Sequence, residues 1–408
     1  NAPAYLAEFL NQFGERISAD SGARLTAWAS RHDDGEPSGL ARHLIRAAGE
    51  WKADVDELDT RRKEIGNALP ELEAAAAQAE RLEDKTSDAH QALRTAKATL
   101  KMIRDQLKQL RGQYWISVLE AYGVLPNYTL LDDSVSLDVG LSWKDADTQE
   151  FVTDTVTYNR GASVALSEFA PGATFYAQGM EILIDAVDLG PQQSHVQKWQ
   201  VCPQCGWIKT DLGAAAAVKN CLRCGTPAIA DMGQVLDVVV MKKVSAEVRR
   251  DEAAINDRRD NRVRERFTIV AAADIDPQHL QKRWFVEGYD FGAEYFNRVD
   301  IRWLNTGRSA SNGGVRTIAG DDVRTPMFRL CSYCGQLDQS AKENLPTEHR
   351  FWCKYRKAAQ ESVKEVVLAR ELNTQGVVLH LPLDVTYGDD FSVPSLQAAM
   401  LLGLQKVL

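Results

Sequence analysis

Apolar positions in the first fifty residues recur at helical spacing. Leu6, Phe9, Leu10 and Phe13 fall on one face, as do Leu40, Leu44 and Ile45 further on. The run Asp33-Asp34-Gly35-Glu36-Pro37-Ser38-Gly39 is turn-forming and separates the two segments. Residues 1–50 therefore read as short amphipathic helices. From 51 to 112 the pattern lengthens. Ala89, Leu93, Ala96, Leu100, Ile103, Leu107 and Leu110 alternate steps of four and three, which is a heptad seam. Ile65, Leu69, Leu72, Ala76 and Ala79 do the same upstream, weakened by Gly66 and Pro70. The seams predict a long coiled-coil arm. The register slips across Glu83-Asp84-Lys85-Thr86-Ser87-Asp88, so a straight helix and an antiparallel hairpin both fit. Such an arm either reaches a partner or another domain, or packs as a helical pair on its own domain.

Beyond residue 113 the period changes. Ser134–Trp143, Phe151–Tyr158 and Ala162–Phe169 alternate or are rich in β-branched residues and predict strands. Thr174–Ala177 and Met180–Ala186 flank Gln178-Gly179 as a hairpin. Val235–Met241, Phe267–Ala272, Phe296–Leu304 and Val377–Leu383 read as further strands. The window Ser245–Arg266 is read as a charged helix, and Lys354–Leu372 as another helix. The fold class is α+β, in four stretches: short helices (1–50), a coiled-coil arm or helical hairpin (51–112), a β-rich region (113–245) and an α/β region (246–408). The chain starts without Met and stops within the apolar pattern Ser395–Leu408, which reads as part of a longer polypeptide.

Composition narrows the class only mildly. A chain of 408 residues holds two or three domains. No run of eighteen apolar residues exists, so a membrane-spanning helix is not expected. A net charge of -9 disfavours a nucleic-acid binder that is basic throughout but permits a local basic face.

The seven cysteines change the picture more, because all of them fall into two constellations. Cys202-x2-Cys205 is followed after fifteen residues by Cys221-x2-Cys224. Cys331-x2-Cys334 is followed after fourteen residues by His349-x3-Cys353. A Cys-x2-Cys pair places two thiolates on one tight turn, and two such turns, or one turn with a His-x3-Cys, complete a tetrahedron around zinc. Two zinc ions are expected. Four protein ligands leave no position open for water, so both sites read as structural, not catalytic. No signal peptide is apparent, and cysteines kept reduced as ligands point to the cytoplasm.

Catalytic patterns are missing. There is no Gly-x4-Gly-Lys-Ser/Thr loop, no Gly-x-Ser-x-Gly elbow and no His-Glu-x-x-His. Asp251-Glu252-Ala253-Ala254 lacks the apolar strand that a motor's acidic motif needs in front of it. The 245–266 window carries seven arginines and six acidic residues. Its default reading is a solvated, salt-bridged face. Its alternative is a phosphate-contacting face in which Arg249, Arg250, Arg258, Arg259 and Arg262 line a strand path, with Trp284, beside Lys282 and Arg283, as a stacking platform.

An ordered set of short motifs completes the reading. Gly123-Val-Leu-Pro126-Asn-Tyr128 follows a helix, then come Ala165-Leu-Ser-Glu168-Phe169-Ala-Pro171-Gly172 and Tyr176-x2-Gly179. The cysteine pairs follow, and last Leu368-Ala-Arg-Glu-Leu372-x-Thr374. This order resembles the C-terminal region of large superfamily-two DEAD/DEAH-box helicases that carry a zinc-binding domain of unknown function. Mitomycin-repair helicases and the helicase or companion subunits of the DISARM and Druantia anti-phage systems are relatives of that kind. The resemblance covers roughly 113–408, and the family's further cysteine cluster is absent from this chain. It implies an accessory region of an ATP-dependent DNA translocase, guiding DNA and bracing the motor in antiviral defence or DNA repair. Helicase activity, with ATP and Mg, would then belong to motor domains in the same polypeptide or another subunit. DNA, that motor and a defence-system protein are the implied partners, and no membrane is. The competing reading is a zinc-stapled scaffold that holds a partner protein through the coiled-coil arm without touching DNA.

Overall fold

A computed structural model describes residues 2–14, 17–30, 36–81, 88–125, 134–144, 151–190, 193–210, 212, 217–250, 253, 255, 266–308, 315–338, 349–350, 353–355, 363–382 and 392–407. The chain forms two compact units and passes between them several times. The first comprises Asn1–His195, Lys242–Arg264 and Arg329–Lys364; the second comprises Val196–Met241, Glu265–Phe328 and Glu365–Leu408.

The first unit opens with α1 (Ala2–Phe13), α2 (Ala19–Ala29), α3 (Gly39–Arg81), α4 (Asp88–Gly112) and α5 (Trp115–Ala121). Ser38 caps α3, its Oγ accepting from the Ala41 amide at 3.2 Å. Residue 51, expected as a boundary, lies inside α3, and Pro70 is accommodated within it. Three cross-links fix the direction of α3 against α4. Trp51 Nε1 donates to the Leu110 carbonyl at 3.3 Å, Lys97 pairs with Glu73 at 3.1 Å, and Arg111 pairs with Asp59. Trp51 and Asp59 near the start of α3 reach Leu110 and Arg111 at the end of α4, whereas Glu73 further along α3 reaches back to Lys97, so the two form an antiparallel hairpin. Val55, Ile65, Leu100, Ile103 and Leu107 make its core. The predicted seam residues thus face each other within the chain; the turn region 82–87 lies outside the described residues.

The hairpin packs on a four-stranded sheet of order β2-β1-β9-β5. Here β1 is Ser134–Lys144, β2 Phe151–Gly161, β5 Ala186–Val187 and β9 Lys243–Arg249. β1 runs antiparallel to β2 and parallel to β9, with Val139 opposite Val156 and Ala246. From α4, Gln106 Nε2 donates to Asp138 at 2.6 Å, and Lys101 Nζ donates to the Thr153 carbonyl at 2.8 Å. Between β2 and β5 lie α6 (Ala162–Glu168) and the hairpin β3 (Thr174–Ala177) and β4 (Met180–Leu183). Its turn places Gln178 and Gly179 at positive φ, as the sequence predicts.

The second unit is a sheet of β6 (Val196–Val201), β7 (Ile208–Lys209), β8 (Val235–Val240), β10 (Phe267–Asp274), β11 (Leu280–Phe285), β12 (Gly292–Arg308) and β16 (Val363–His380). Its order is β10-β12-β16-β8-β6-β7, with β11 paired to β12 beyond the end of β10. The strands β13 (Arg316–Ile318) and β14 (Asp321–Val323) form a separate ribbon. β15 (Phe328–Cys331) leads into the second cysteine turn, and the helix Ser392–Val407 follows β16. Trp199, Leu236, Val238, Val270, Leu304 and Val367 build the core on one face of the sheet.

Three expectations are overturned. Ala162–Phe169 is a helix, not a strand, because Ala162, Ala165 and Leu166 bury at helical spacing in a run of good helix formers. The window from Ser245 begins as strand β9, not a helix: Val244 and Ala246 alternate with polar residues and are buried against the parallel strand β1. The helix expected at Lys354–Leu372 is overturned from Val363 on, where β16 begins; 356–362 lie outside the described residues. Val366, Val367, Leu368 and Ala369 are all fully buried, a strand enclosed on both faces, and such a run has no period by which to recognise it.

If the antiparallel seam carries the first unit, Ile65→Ala lowers unfolding stability by about 2–5 kcal/mol. Leu44→Ala, at an exposed position of the same helix, changes it by less than about 0.5 kcal/mol. Chemical denaturation of the two variants checks this, and equal midpoints would contradict the hairpin core.

Candidate metal centres and their surroundings

Each cysteine pair sits on the same local device. In Cys202–Gly206, Cys221–Gly225 and Cys331–Gly335 the amide of the glycine donates back to the first cysteine's carbonyl, at 3.2, 2.9 and 2.9 Å. The turn closes only if the residue after the second cysteine takes positive φ, and Gly206, Gly225 and Gly335 stand at +71°, +75° and +70°. Two of these glycines also admit no side chain. A Cβ on Gly335 would lie 1.9 Å from the Val187 carbonyl oxygen, and one on Gly206 would lie 2.8 Å from Ala319 Cβ.

The turns bring the predicted ligands together. The donor atoms of Cys202, Cys205, Cys221 and Cys224 all lie within 4.8 Å of one another, and so do those of Cys331, Cys334, His349 and Cys353. In the first cluster Cys202 Sγ is 3.6 Å from Cys224 Sγ, and Cys205 Sγ is 3.5 Å from Cys221 Sγ. In the second, Cys331 and Cys353 are 3.7 Å apart, and His349 Nδ1 is 3.8 Å from Cys334 and 3.6 Å from Cys353. A zinc–sulfur bond of about 2.3 Å in a regular tetrahedron sets ligand atoms about 3.8 Å apart, close to these values. All seven cysteines are free thiols, none in a disulfide. The two clusters can hold two zinc ions.

Without a cation, the crowded thiols compete for protons. Burial pushes Cys205 up to about 12, while the Thr226 amide holds the exposed Cys224 down to about 7. In the second cluster, hydrogen bonds from Cys334 and Cys353 hold Cys331 well below the usual thiol range, and that thiolate pushes Cys334 up to about 11. One thiolate is tolerated at its neighbours' cost. A divalent cation removes the conflict, since every donor can then be deprotonated at once.

Each cluster is anchored in its own unit. Beside the first, Gln200 is buried and uses its whole amide: Nε2 donates to the Val218 and Ile229 carbonyls at 3.0 and 2.9 Å, and Oε1 accepts from the Val218 amide at 2.8 Å. Beside the second, Arg350 follows ligand His349 and is buried. Its guanidinium reaches Asp185 at 2.6 Å, Ser245 Oγ at 3.2 Å and Glu247 at 2.9 Å. Burial pushes Asp185 up to about 6 in spite of Arg350, and the two carboxylates together outweigh the burial of the guanidinium and keep it protonated. On the other side of the same turn, the Tyr333 hydroxyl donates to Glu64 of α3 at 3.0 Å, and Lys354 Nζ lies 4.6 Å from the Tyr333 ring centroid. Spacing gave no sign of Arg350, Asp185, Glu247 or Glu64; the adjacency of Arg350 to His349 was the only clue.

The nucleic-acid candidates fall in different places. Arg249 ends β9 half-buried, and Arg250 follows it, exposed, with its guanidinium 5.1 Å from the Trp143 ring centroid. Both belong to the first unit. Trp284, in the second unit, is 54% exposed on β11. Arg258, Arg259 and Arg262 lie outside the described residues. Among the described residues no helix is long and apolar enough to cross a membrane.

Comparison with known proteins returns no match: no family model, no curated protein and no solved structure resembles this chain.

Elemental analysis of the purified chain is expected to give about two zinc ions per molecule. Cys221→Ser removes one and Cys331→Ser the other. Gly335→Ala releases the same ion as Cys331→Ser although it alters no ligand, because the turn can no longer close. One ion or none in the parent protein, or full occupancy in Gly335→Ala, would contradict the assignment.

Proposed function

We propose that the chain is a zinc-stapled accessory module that performs no chemistry itself and works on DNA beside an ATP-driven translocase. The observation that carries the non-catalytic half is the closure of both clusters. Four protein donors surround each centre, so a metal bound there has no position for water or substrate. The DNA half rests on the order of motifs that resembles the C-terminal region of superfamily-two helicases, and on one aromatic–cation pairing and one exposed tryptophan with basic residues next to it in sequence. Arg250 lies over Trp143, and Trp284 sits beside Lys282 and Arg283 on β11. A ring that takes a base and a cation that takes the adjoining phosphate suit strand contact without sequence preference. Antiviral defence and DNA repair are the settings in which the resemblance places such a module.

A second reading, a scaffold that holds a partner protein, is favoured by a different observation. The heptad seam is occupied within the α3–α4 hairpin, so a partner would use another surface. The β11–β12–β16 ribbon offers one, with Trp284, Val286, Val377 and Leu379 all more than a third exposed. The two readings combine if the motor is that partner.

Titration of single-stranded and duplex DNA at several salt concentrations separates them. Under the first reading affinity falls with salt, with a log–log slope of roughly -0.7 per phosphate contacted on single strands. Arg250→Glu lowers the slope, and Trp284→Ala weakens single-strand binding by about 5- to 100-fold, equivalent to the loss of one stacked base. No binding at low salt would leave only the scaffold reading.

A further inference from the structure

The strand β16 is 18 residues long, and only its first part is enclosed. Val366 to Ala369 are fully buried, whereas alternate residues from Glu371 to Leu379 face solvent. The change comes where β8 leaves it. β8 pairs with β16 only from Val367 to Ala369, while β12 stays beside it on the other side as far as His380. β15 also pairs with β16, and Met327 just before it lies against Gly307, beyond the point where Asn305 of β12 stands opposite Leu368, which sets β15 at the enclosed start. Among the described residues, the main chain of 371–380 therefore has one edge hydrogen-bonded and the other open. About half its amides and carbonyls point out from that edge.

The opposite side of the same ribbon shows what a protected edge looks like. β11 carries Lys282 and Arg283, and its pairing with β12 shifts register between Leu280 and Lys282. Charges and irregular pairing discourage an incoming strand. The segment Glu371-Leu-Asn-Thr-Gln-Gly-Val-Val-Leu-His380 has neither device. Its only acidic or basic residues, apart from the terminal histidine, come down to Glu371, and it contains no lysine, arginine or proline. The extra residue in its pairing with β12, between Phe296 and Val299, lies on β12 and not on β16.

Side-chain chemistry indicates what would lie alongside. Cross-strand neighbours share a face, and pairing aligns Trp284, Ala293 and Leu379 in one row and Lys282, Tyr295 and Val377 in the next. Val377 is 56% exposed and Trp284 54%. With one cation in these rows, the face is better suited to apolar side chains than to a phosphate backbone.

We propose that residues 371–380 of β16 accept an extended segment of a partner polypeptide as an added strand, with alternate apolar side chains of that segment laid against Val377 and Leu379. This rests on the partner-holding part of the function proposed above. Main-chain pairing supplies the affinity and the apolar face the selectivity.

The test uses the full chain and a ten-residue synthetic peptide of alternating valine and threonine with a lysine at each end. A second peptide has the same sequence with alternate amides N-methylated. Binding is read by fluorescence anisotropy, and its location by hydrogen exchange. The expected result is saturable binding that protects 371–380, at least tenfold weaker for the N-methylated peptide and for Val377→Lys/Leu379→Lys, whose positions are exposed. The N-methylated arm leaves the protein untouched, so the test survives a variant that fails to fold. Equal binding of the two peptides, or protection elsewhere, would overturn the proposal. So would protection of 371–380 that rises with protein concentration alone, which assigns the edge to a second copy, or protection by oligothymidine, which assigns it to nucleic acid. A chain that binds the peptide but no DNA refutes the DNA reading alone.

Discussion

Four cysteines in one cluster, and three with a histidine in the other, lie within 4.8 Å of one another, too close for all the thiols to be free thiolates and poorly served if all stay protonated. That constraint organises both cysteine clusters. Three Cys-x2-Cys turns, two in the first cluster and one in the second, reverse within five residues, and each needs a glycine at positive φ to let its amide return to the first cysteine. A bound cation would resolve the proton competition among the thiols, and would thereby couple metal binding to the folding of the surrounding segments. At the second cluster the consequence extends outward. Arg350, next to His349, is buried between Asp185 and Glu247, and breaking a buried pair by losing one partner costs about 3–5 kcal/mol. The helix α3 joins the same network through Glu64 and Tyr333, so the metal turn ties helix to sheet within the first unit.

The sequence was most legible where chemistry forces spacing. Cys-x2-Cys-Gly has one compact solution, and six ligands could be named from it, with the other two from His349-x3-Cys353. The heptad seam was legible for a similar reason, because Ile65, Leu100, Ile103 and Leu107 repeat at the period of a helix that buries one stripe. Whether the seam closed on itself or on a partner was not legible, since both arrangements bury the same residues. The contacts that decide it, Trp51 to Leu110 and Glu73 to Lys97, join positions whose pairing only the fold sets.

Reading failed where local pattern and tertiary role diverge. Val366–Ala369 looks helical in a charged neighbourhood, yet it is enclosed on both faces and so has no alternation to show. At 245–266 the density of charge obscured the period-two alternation of Val244 and Ala246, which begins just before the window. Around Ala162 the opposite error arose, where small residues resembled a strand but bury at positions three and four apart. Arg350 was invisible for a further reason: a lone arginine beside a ligand has no periodicity, and its value comes from two carboxylates distant in sequence.

These limits bear on function. If both metals are closed off by protein, the chain contributes surfaces, not reactions, and the question becomes what each surface can hold. Phosphate contact requires cations that are free to pair. On β11, Arg283 is already engaged with Glu294 at 2.7 Å, which leaves Lys282 as the cation in the rows around Trp284. A single exposed charge on a chain of net charge -9 gives a weak electrostatic hold on DNA. An open strand edge has no such requirement, because its amides and carbonyls are complementary to any extended backbone. The ribbon is therefore better matched to polypeptide than to nucleic acid. If DNA is held at all, the stronger physical case lies with Arg250 and Trp143 on the first unit, where a guanidinium already stacks on an aromatic face.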